Sequence, residues 1–513
     1  MTTLLRDLLA RNRALYGRDA AVVFRDEATT WAAFERRVFQ LANRLLSAGV
    51  ERQDRVAILQ HNGPEVGEVG FAVALIGAVL VPISPRYAAA EVAYLLDDAE
   101  VHLAFVDARL GELVTNASSS VVQTRCDEYD AFVAEGAEEE PPRVERAEDV
   151  VLQLYTSGTT GQPKGAMLTQ AAMVFNGLTT MNYQQAVHSD VFLTATPLSH
   201  AAGAVRMYAL AIDGIPNVIL ERYDVQAFLD AIASHRVTTT ILVPTMLRML
   251  LDSPQLDAAD LGTLRAIIYG AAPTPRSLIE EALTRLPCGF YNAYGLTEGC
   301  PAITALNPAE HLLAMRDPKH RGLLGSIGRS VPGVHVSIGQ PGTGHPPSEP
   351  AELFVRSAKN MVGYWKRPEE TEMALSNGWL ASGDIGYADA DGYIYLVDRA
   401  KDMFISGGLN VYPSEVERVI ERERFVREVA VVGVPDEKWG EAPVAFVVGD
   451  ADGESELRAA CRRDLATYKV PKAFVFLAEL PRNSNGKVLK RELRTSWVGD
   501  PGDGATGQDS QAS

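Results

Sequence analysis

Short apolar runs alternate with amphipathic segments between residues 54 and 310. "RVAILQ" (55–60), "VILERY" (218–223), "TTILVPT" (239–245) and "RAIIYGAAP" (265–273) read as buried strands. Between them, "DVQAFLDAIASHR" (224–236) spaces its apolar residues as a helix does. This alternation predicts parallel sheet joined by crossover helices. The longest apolar run, "GFAVALIGAVLVPI" (70–83), is too short for a membrane span and meets Pro82. It predicts a buried helix leading into a strand. At the N-terminus, Arg6, Asp7, Arg11 and Arg13 punctuate "MTTLLRDLLARNRALYG". That pattern predicts an amphipathic helix and not a secretion signal.

Residues 320 to 398 change character. Gly and Pro become frequent, and "AELFVRS" and "GYIYLVD" alternate in short runs, so a smaller β-rich subdomain is expected. After "DRAKD" (398–402) a compact mixed segment follows. "PSEVERVIERE" and "SELRAACRRDLA" predict helices, while "EVAVVGV", "PVAFVV" and "AFVFL" predict strands. The tail "GDPGDGATGQDSQAS" is polar and Gly-rich, which reads as disorder. The chain has no internal repeats.

At 513 residues the chain is too long for one ordinary core. Its 48 Lys plus Arg against 66 Asp plus Glu leave a net charge of −18. Such a surface repels nucleic-acid backbones and excludes nonspecific binding to them. Cys126, Cys288, Cys300 and Cys461 show no metal-ligand or redox spacing, so free thiols in a reducing cytoplasm are expected.

Candidate chemistry concentrates in "YTSGTTGQPKGAML" (155–168), placed after the apolar run Val150–Leu154. Gly158, Gly161 and Gly165 permit tight turns and close backbone approach. Thr156, Ser157, Thr159 and Thr160 supply hydroxyl donors, and Lys164 adds a compact charge suited to phosphate. Pro163 stands where a Walker A loop needs Gly, so this is a different phosphate loop. The bland alternative is a flexible loop with an exposed lysine. The density of donors around one cation favours phosphate contact.

This loop resembles the signature loop of the adenylate-forming superfamily of acyl-CoA synthetases, adenylation domains and luciferases. Other segments resemble the same superfamily, in its order. They are "GAAP" (270–273), "YNAYGLTEG" (291–299), "SGD" (382–384), "DRAKDMFISGGLNVYPSEVE" (398–417) and "PRNSNGKVLKREL" (481–493). The resemblance implies an α/β fold: a large N-terminal domain of mixed, mostly parallel sheets with helices plus a β-rich subdomain, and a small mobile α+β C-terminal domain. The implied boundaries are 1–399, a hinge at 400–401, a mobile domain at 402–497 and a tail at 498–513. It also implies ATP-dependent activation of a carboxylic acid to an acyl-adenylate, followed by transfer to coenzyme A with Mg2+ as cofactor.

Residue by residue, Lys487 resembles the catalytic cation that reaches the acid carboxylate and the α-phosphate. Its bland reading is a solvated lysine near Lys490 and Arg491. Glu298 resembles the magnesium carboxylate, with Thr156 beside the metal; alone, Glu298 reads as a helix N-terminal residue. Gly270, Ala271, Ala272, Asn292, Ala293, Tyr294, Gly295 and Thr297 are expected along the adenine and its flank. Alone, Tyr294 reads as core packing. Asp384 and Arg399 resemble the ribose contacts, with Ser382 where Thr is commoner; Asp384 alone would be a turn residue. Lys401 matches the hinge. Ser406, Gly407 and Gly408 lie where pantetheine passes. Trp439 resembles a residue of the thiol route, an anchor of the small domain's core being equally apt. Arg86 and Lys469 are weak candidates for the coenzyme A nucleotide, and Val470 stands where related enzymes often carry a base.

His200 in "TPLSHAAG" matches a histidine beside the acid. Gly203, Met207, Gly295, Cys300 and Ile303 are expected to line an apolar acid pocket. Arg206 could pair with a second carboxylate of a diacid, but the favoured reading is an outward-facing helix position. "GYWKRPEETEMALSNGWLASGDIG" (363–386) and "VVGVPDEKWGE" (431–441) resemble fatty-acid and aryl-acid CoA ligases. Three alternatives stay open: a stand-alone enzyme loading a carrier-protein thiol, a malonate-type diacid ligase, and a non-enzymatic binder with a degenerate nucleotide site. Intact Lys487, Glu298, Asp384 and Arg399 argue against the last. Expected partners are a small carboxylic acid and coenzyme A, with no nucleic acid and no transmembrane segment. The oligomeric state stays open, a homodimer among the options.

Overall fold

The buried runs become strands where both faces are covered. In the computed structural model, which describes residues 3–114, 120–125, 127–157, 162–344, 346–399, 402–406, 409–436, 439–482 and 488–497, Arg55–Leu59 and Val79–Ile83 pair in parallel. Helix Pro64–Leu75 feeds directly into the second of them, as its sequence requires. Helix Val225–His235 begins where the Asp224 side chain accepts from Ala227 N, satisfying a free first-turn amide.

The chain divides into two compact units. The first comprises residues 1–341, 354–382 and 388–395; the second comprises 342–353, 383–387 and residues from 396 onward. A seven-stranded sheet in the first unit runs Gly363–Tyr364, Pro163–Thr169, Val150–Ser157, Val79–Ile83, Arg55–Leu59, Val101–Asp107, Ser120–Thr124. Its strands from Val150–Ser157 onward are parallel, and the first two pair antiparallel.

A nine-stranded sheet runs Arg329–Ser330, Thr304–Leu306, Gly289–Tyr294, Ala266–Gly270, Thr239–Leu242, Phe192–Thr194, Asn217–Ile219, Ala20–Phe24, Glu27–Thr30. Its six central strands are parallel. Helices Trp31–Ser47, Pro64–Leu75, Gln170–Tyr183 and Ala201–Leu210 share one core with Val56, Ile58 and Leu80 of the first sheet and Val22, Ile219 and Ile268 of the second. Separate clusters cover the opposite faces. Strands buried on both sides explain the uninterrupted apolar runs.

Two expectations need correction. The run 218–223 is a strand only over Asn217–Ile219, because Glu221 leaves the sheet to meet Arg25 and Arg109. Within helix Leu5–Tyr16, Arg6 is buried, with Nε 2.7 Å from Glu145 Oε1.

The predicted β-rich stretch holds short strands at Val334–Ile338, Ala351–Ser357, Leu375–Ser376, Trp379–Ala388 and Ile394–Arg399. In the second unit, Val426–Asp436 and Gly440–Gly449 form a long antiparallel pair, and Ala473–Phe476 joins the latter in parallel. Helices Pro413–Ile420 and Glu454–Asp464 bury Val416, Ile420, Leu457 and Cys461 in one cluster. Helix Lys490–Ser496 places Leu493 in another. Among the described residues, no helix is long and apolar enough to cross a membrane.

Candidate active site

The phosphate-loop segment leaves a hairpin. Strands Val150–Ser157 and Pro163–Thr169 pair antiparallel, with Thr156 opposite Lys164. The hairpin fixes the first and last donors of the loop. Gly158, Thr159, Thr160 and Gly161 lie outside the described residues, as do Lys401, Gly407, Gly408, Lys487 and the expected tail at 498–513. Lys164 is buried; its ammonium lies 4.0 Å from Glu370 and 5.4 Å from the Tyr364 ring centre. Its charge is held at the hairpin rather than free in solvent.

Thr156 and Glu298 are brought together. Thr156 Oγ1 donates to Glu298 Oε1 at 3.1 Å, and Tyr364 OH donates to the same oxygen at 2.9 Å. Burial, then the Glu298 charge, pushes the Tyr364 phenol up, so it stays protonated and keeps donating. Among the described residues no group of three or more His, Cys, Asp and Glu gathers as a metal cluster. One carboxylate flanked by hydroxyls fits a hard cation that draws its other ligands from phosphates and water. Tyr364 was missed in the sequence, where the segment 363–386 carries only a resemblance to CoA ligases.

Gly270 ends a central strand opposite Ala293. A Cβ on Gly270 would sit 2.1 Å from the Ala293 carbonyl oxygen. Gly270→Val is therefore expected to cost about 1–3 kcal/mol through overpacking. Thermal unfolding and ATP titration check it: both melting temperature and ATP affinity should fall. Ala271 and Ala272 are exposed beyond the strand. Asn292 turns its amide to Ser326 O at 3.4 Å, while Tyr294 and Gly295 are half-buried. Thr297 O accepts from Cys300 N at 3.0 Å and starts the next turn.

His200 stands at the start of helix Ala201–Leu210, and its side chain makes no capping bond there. Burial, and then Arg86, lowers its pKa to about 4, so the imidazole is neutral at pH 7. Arg86, expected near coenzyme A, is thus close enough to His200 to act on its charge. Gly203 has no room for a side chain, since a Cβ would lie 2.4 Å from Pro197 O. Met207 packs against Gly67 and Gly70 and lines a cavity with Phe34, Phe71 and Leu198. Cys300 and Ile303 are buried, and burial pushes the Cys300 thiol up to about 12.

Arg206 corrects its favoured reading. It is 7% exposed, because every residue from Gly203 to Leu210 is buried and the helix has no outward face there. Its Nη1 donates to Gln184 Oε1 at 2.8 Å and its guanidinium lies 4.9 Å from the Phe192 ring centre. Burial lowers its pKa, and among the described residues no carboxylate pairs with it. The all-apolar surroundings in "AAGAVRMYALAI" were the available signal.

In the second unit, Arg399 Nε lies 3.1 Å from Asp384 Oδ1. Asp384 is buried, and Gly383 before it takes φ +71°, which explains the glycine. Ser406 is buried in strand Phe404–Ser406. Trp439 is 42% exposed, which overturns the core-anchor alternative; Phe404 and Phe474 fill that core. Lys469 is bonded to both Glu415 oxygens, at 2.7 and 2.6 Å.

Residues 9–365 match the AMP-binding enzyme family, and residues 415–487 match the AMP-binding enzyme C-terminal domain. The chain is 39% identical over 478 residues to a feruloyl-CoA synthase of Amycolatopsis sp, covering 91% of this chain and 94% of that protein. It is 34% identical to a fatty acid–[acyl-carrier-protein] ligase of Streptomyces coeruleorubidus, covering 94% of each. Among solved structures it is similar to the o-succinylbenzoate CoA synthetase of Bacillus subtilis. With the acyl-adenylate bound the TM-score is 0.85 at 30% identity, over 96% of this chain and 99% of that one. With ATP and magnesium ion bound it is 0.83 at 29%, over 95% and 98%.

Proposed function

Because the chain belongs to the AMP-binding enzyme family and is an AMP-forming acid–thiol ligase, we propose that it activates an aromatic or fatty acid as the adenylate and passes the acyl group to coenzyme A. The observation that carries the site assignment is the convergence of Thr156 and Tyr364 on Glu298 Oε1 beside the phosphate-loop hairpin. The acid carboxylate attacks the α-phosphorus of ATP, and pyrophosphate leaves with the P–O bonding pair. The thiol then attacks the acyl carbon, gives up its proton and releases AMP.

Positioning and electrostatics carry both steps. Lys164 and the loop donors hold phosphate oxygens. Glu298 with Thr156 would hold Mg2+, which supplies charge neutralisation on the phosphates. Asp384 accepts from the ribose hydroxyls, and Arg399 holds that carboxylate in place from 3.1 Å. Neutral His200 contacts the acid by hydrogen bonding and brings no charge. Lys487 approaches both reacting anions, with Lys401 as the pivot of a rotation between 1–399 and 402–497. Ser406, Gly407, Gly408 and Trp439 border the thiol path. The free thiols of Cys288, Cys300 and Cys461 support a cytoplasmic setting.

A pyrophosphate-release screen tests the acid, with ferulate, decanoate, indole-3-acetate, malonate and 2-succinylbenzoate as probes. Acyl-CoA is sought by mass spectrometry. Ferulate or decanoate is expected to lead. Silence of the whole panel would refute the reading. One second reading has a specific observation behind it: buried Arg206, without a carboxylate among the described residues, on the helix that His200 starts. Turnover of the diacids, lost in Arg206→Met, would establish it instead.

A further inference from the structure

We propose that Lys359 is a positioning residue of the acid site: its ammonium ties helix Gln170–Tyr183 to the Cys300–Ala302 turn and so sets the pocket's width. The proposal rests on reading Cys300 and Ile303 as the acid wall. Lys359 is 0% exposed, and its Nζ donates to Asn176 Oδ1 at 3.0 Å, Pro301 O at 2.9 Å and Ala302 O at 2.8 Å. An ammonium has three hydrogens, and all three are used.

Among the described residues no carboxylate pairs with Lys359. A buried cation with only neutral acceptors is costly, and a plain core position would hold an apolar residue. The turn it grips explains the cost. Cys300 takes φ +46° and Ala302 φ +71°, left-handed values unusual for side-chain-bearing residues. Without a donor, two neighbouring carbonyls of this strained turn would be turned inward unpaired. The same segment holds the other end of the turn, since Met361 N donates to Glu298 O at 2.7 Å. Ile303 N donates to Tyr294 O at 2.8 Å, and a Cβ on Gly295 would lie 2.6 Å from Ala302 N. The acid wall is therefore pressed against the adenine-side strand from one flank and pinned by Lys359 from the other.

Burial lowers the Lys359 pKa to about 8, and among the described residues the one titratable group acting on it, the Cys300 thiol, is neutral below about 12. The folded pKa is below the unfolded one. Between them the unfolded chain holds a proton that the folded chain lacks, so this residue's contribution to stability rises with pH from about 8 upward. Deprotonation also removes one of the three donors, so the grip on the turn loosens over the same range.

The test compares the full-length protein with Lys359→Met and Asn176→Ala, using ferulate, decanoate and 2-succinylbenzoate. Lys359→Met is expected to raise the acid KM on the order of tenfold to a hundredfold and to reorder the acids, with the ATP KM unchanged. Asn176→Ala, which removes one of the three acceptors, moves the same quantities less and guards against a variant that does not fold. The wild-type acid KM should climb above pH 8 and that of Lys359→Met should not. Equal rises in the acid and ATP KM values, or an unchanged acid ranking in folded Lys359→Met, would overturn the proposal. Ile303→Ala separates the two readings. A ranking shifted by Ile303→Ala but not by Lys359→Met refutes only the clamp; a ranking shifted by neither refutes the acid wall as well.

Discussion

Lys487→Ala is expected to lower ATP–pyrophosphate exchange by about 10²–10³-fold while ATP binding changes little. The adenylation step brings a carboxylate against an α-phosphate. Two like charges at about 4 Å repel by about 4 kcal/mol at an effective dielectric of 20. A lysine that reaches both removes that repulsion and stabilises the charge that develops. The described lysines of its unit, and Arg482, are each engaged by a carboxylate. Lys469 is bonded to Glu415, Lys472 lies 3.3 Å from Asp436, Lys490 lies 2.8 Å from Glu417, and Arg482 lies 2.9 Å from Glu428. Lys490→Ala serves as the contrast. It leaves the half-buried Glu417 carboxylate without its cation, so it should lower the melting temperature and spare the exchange rate in the folded fraction. Exchange that survives Lys487→Ala at the wild-type rate would remove Lys487 from the chemistry.

The strands and helices were legible because parallel sheet buried on both faces leaves unbroken apolar runs. "RAIIYG" and "RVAIL" could hardly be anything else. The Thr156–Glu298 pairing was legible through motif order. The residues that hold the site in shape were not. Tyr364 and Lys359 sit in a stretch whose polar residues look solvated in sequence. Their roles depend on partners at Glu298, Asn176, Pro301 and Ala302, far away along the chain. Arg206 was misplaced for a different reason. One charge in a helix suggests a wet face, whereas the apolar residues around all sides of this one mark a helix enclosed between two sheets. Trp439 was left open between the thiol route and a core anchor; its exposure removes the second, and Phe404 and Phe474 occupy that core.

Glu298→Gln separates charge from shape at the centre of the site. Its Oε1 accepts from Thr156 Oγ1 and from Tyr364 OH, and a glutamine oxygen can accept both. Glu298 O also receives Met361 N, a backbone bond that the substitution does not touch. The fold around residue 298 should therefore persist, with a melting temperature near that of the wild type. The negative charge is what disappears. A hard divalent cation bound through one or two protein carboxylates loses its main protein anchor. Adenylation is expected to fall about a hundredfold, with a raised magnesium requirement that added MgCl2 partly restores. Tyr364→Phe deletes a single hydrogen bond, worth about 0.5–1.5 kcal/mol, so only a several-fold loss should follow. ATP–pyrophosphate exchange measured across a magnesium titration distinguishes the cases. An unshifted titration curve in Glu298→Gln would show that this carboxylate holds the loop together and not the cation.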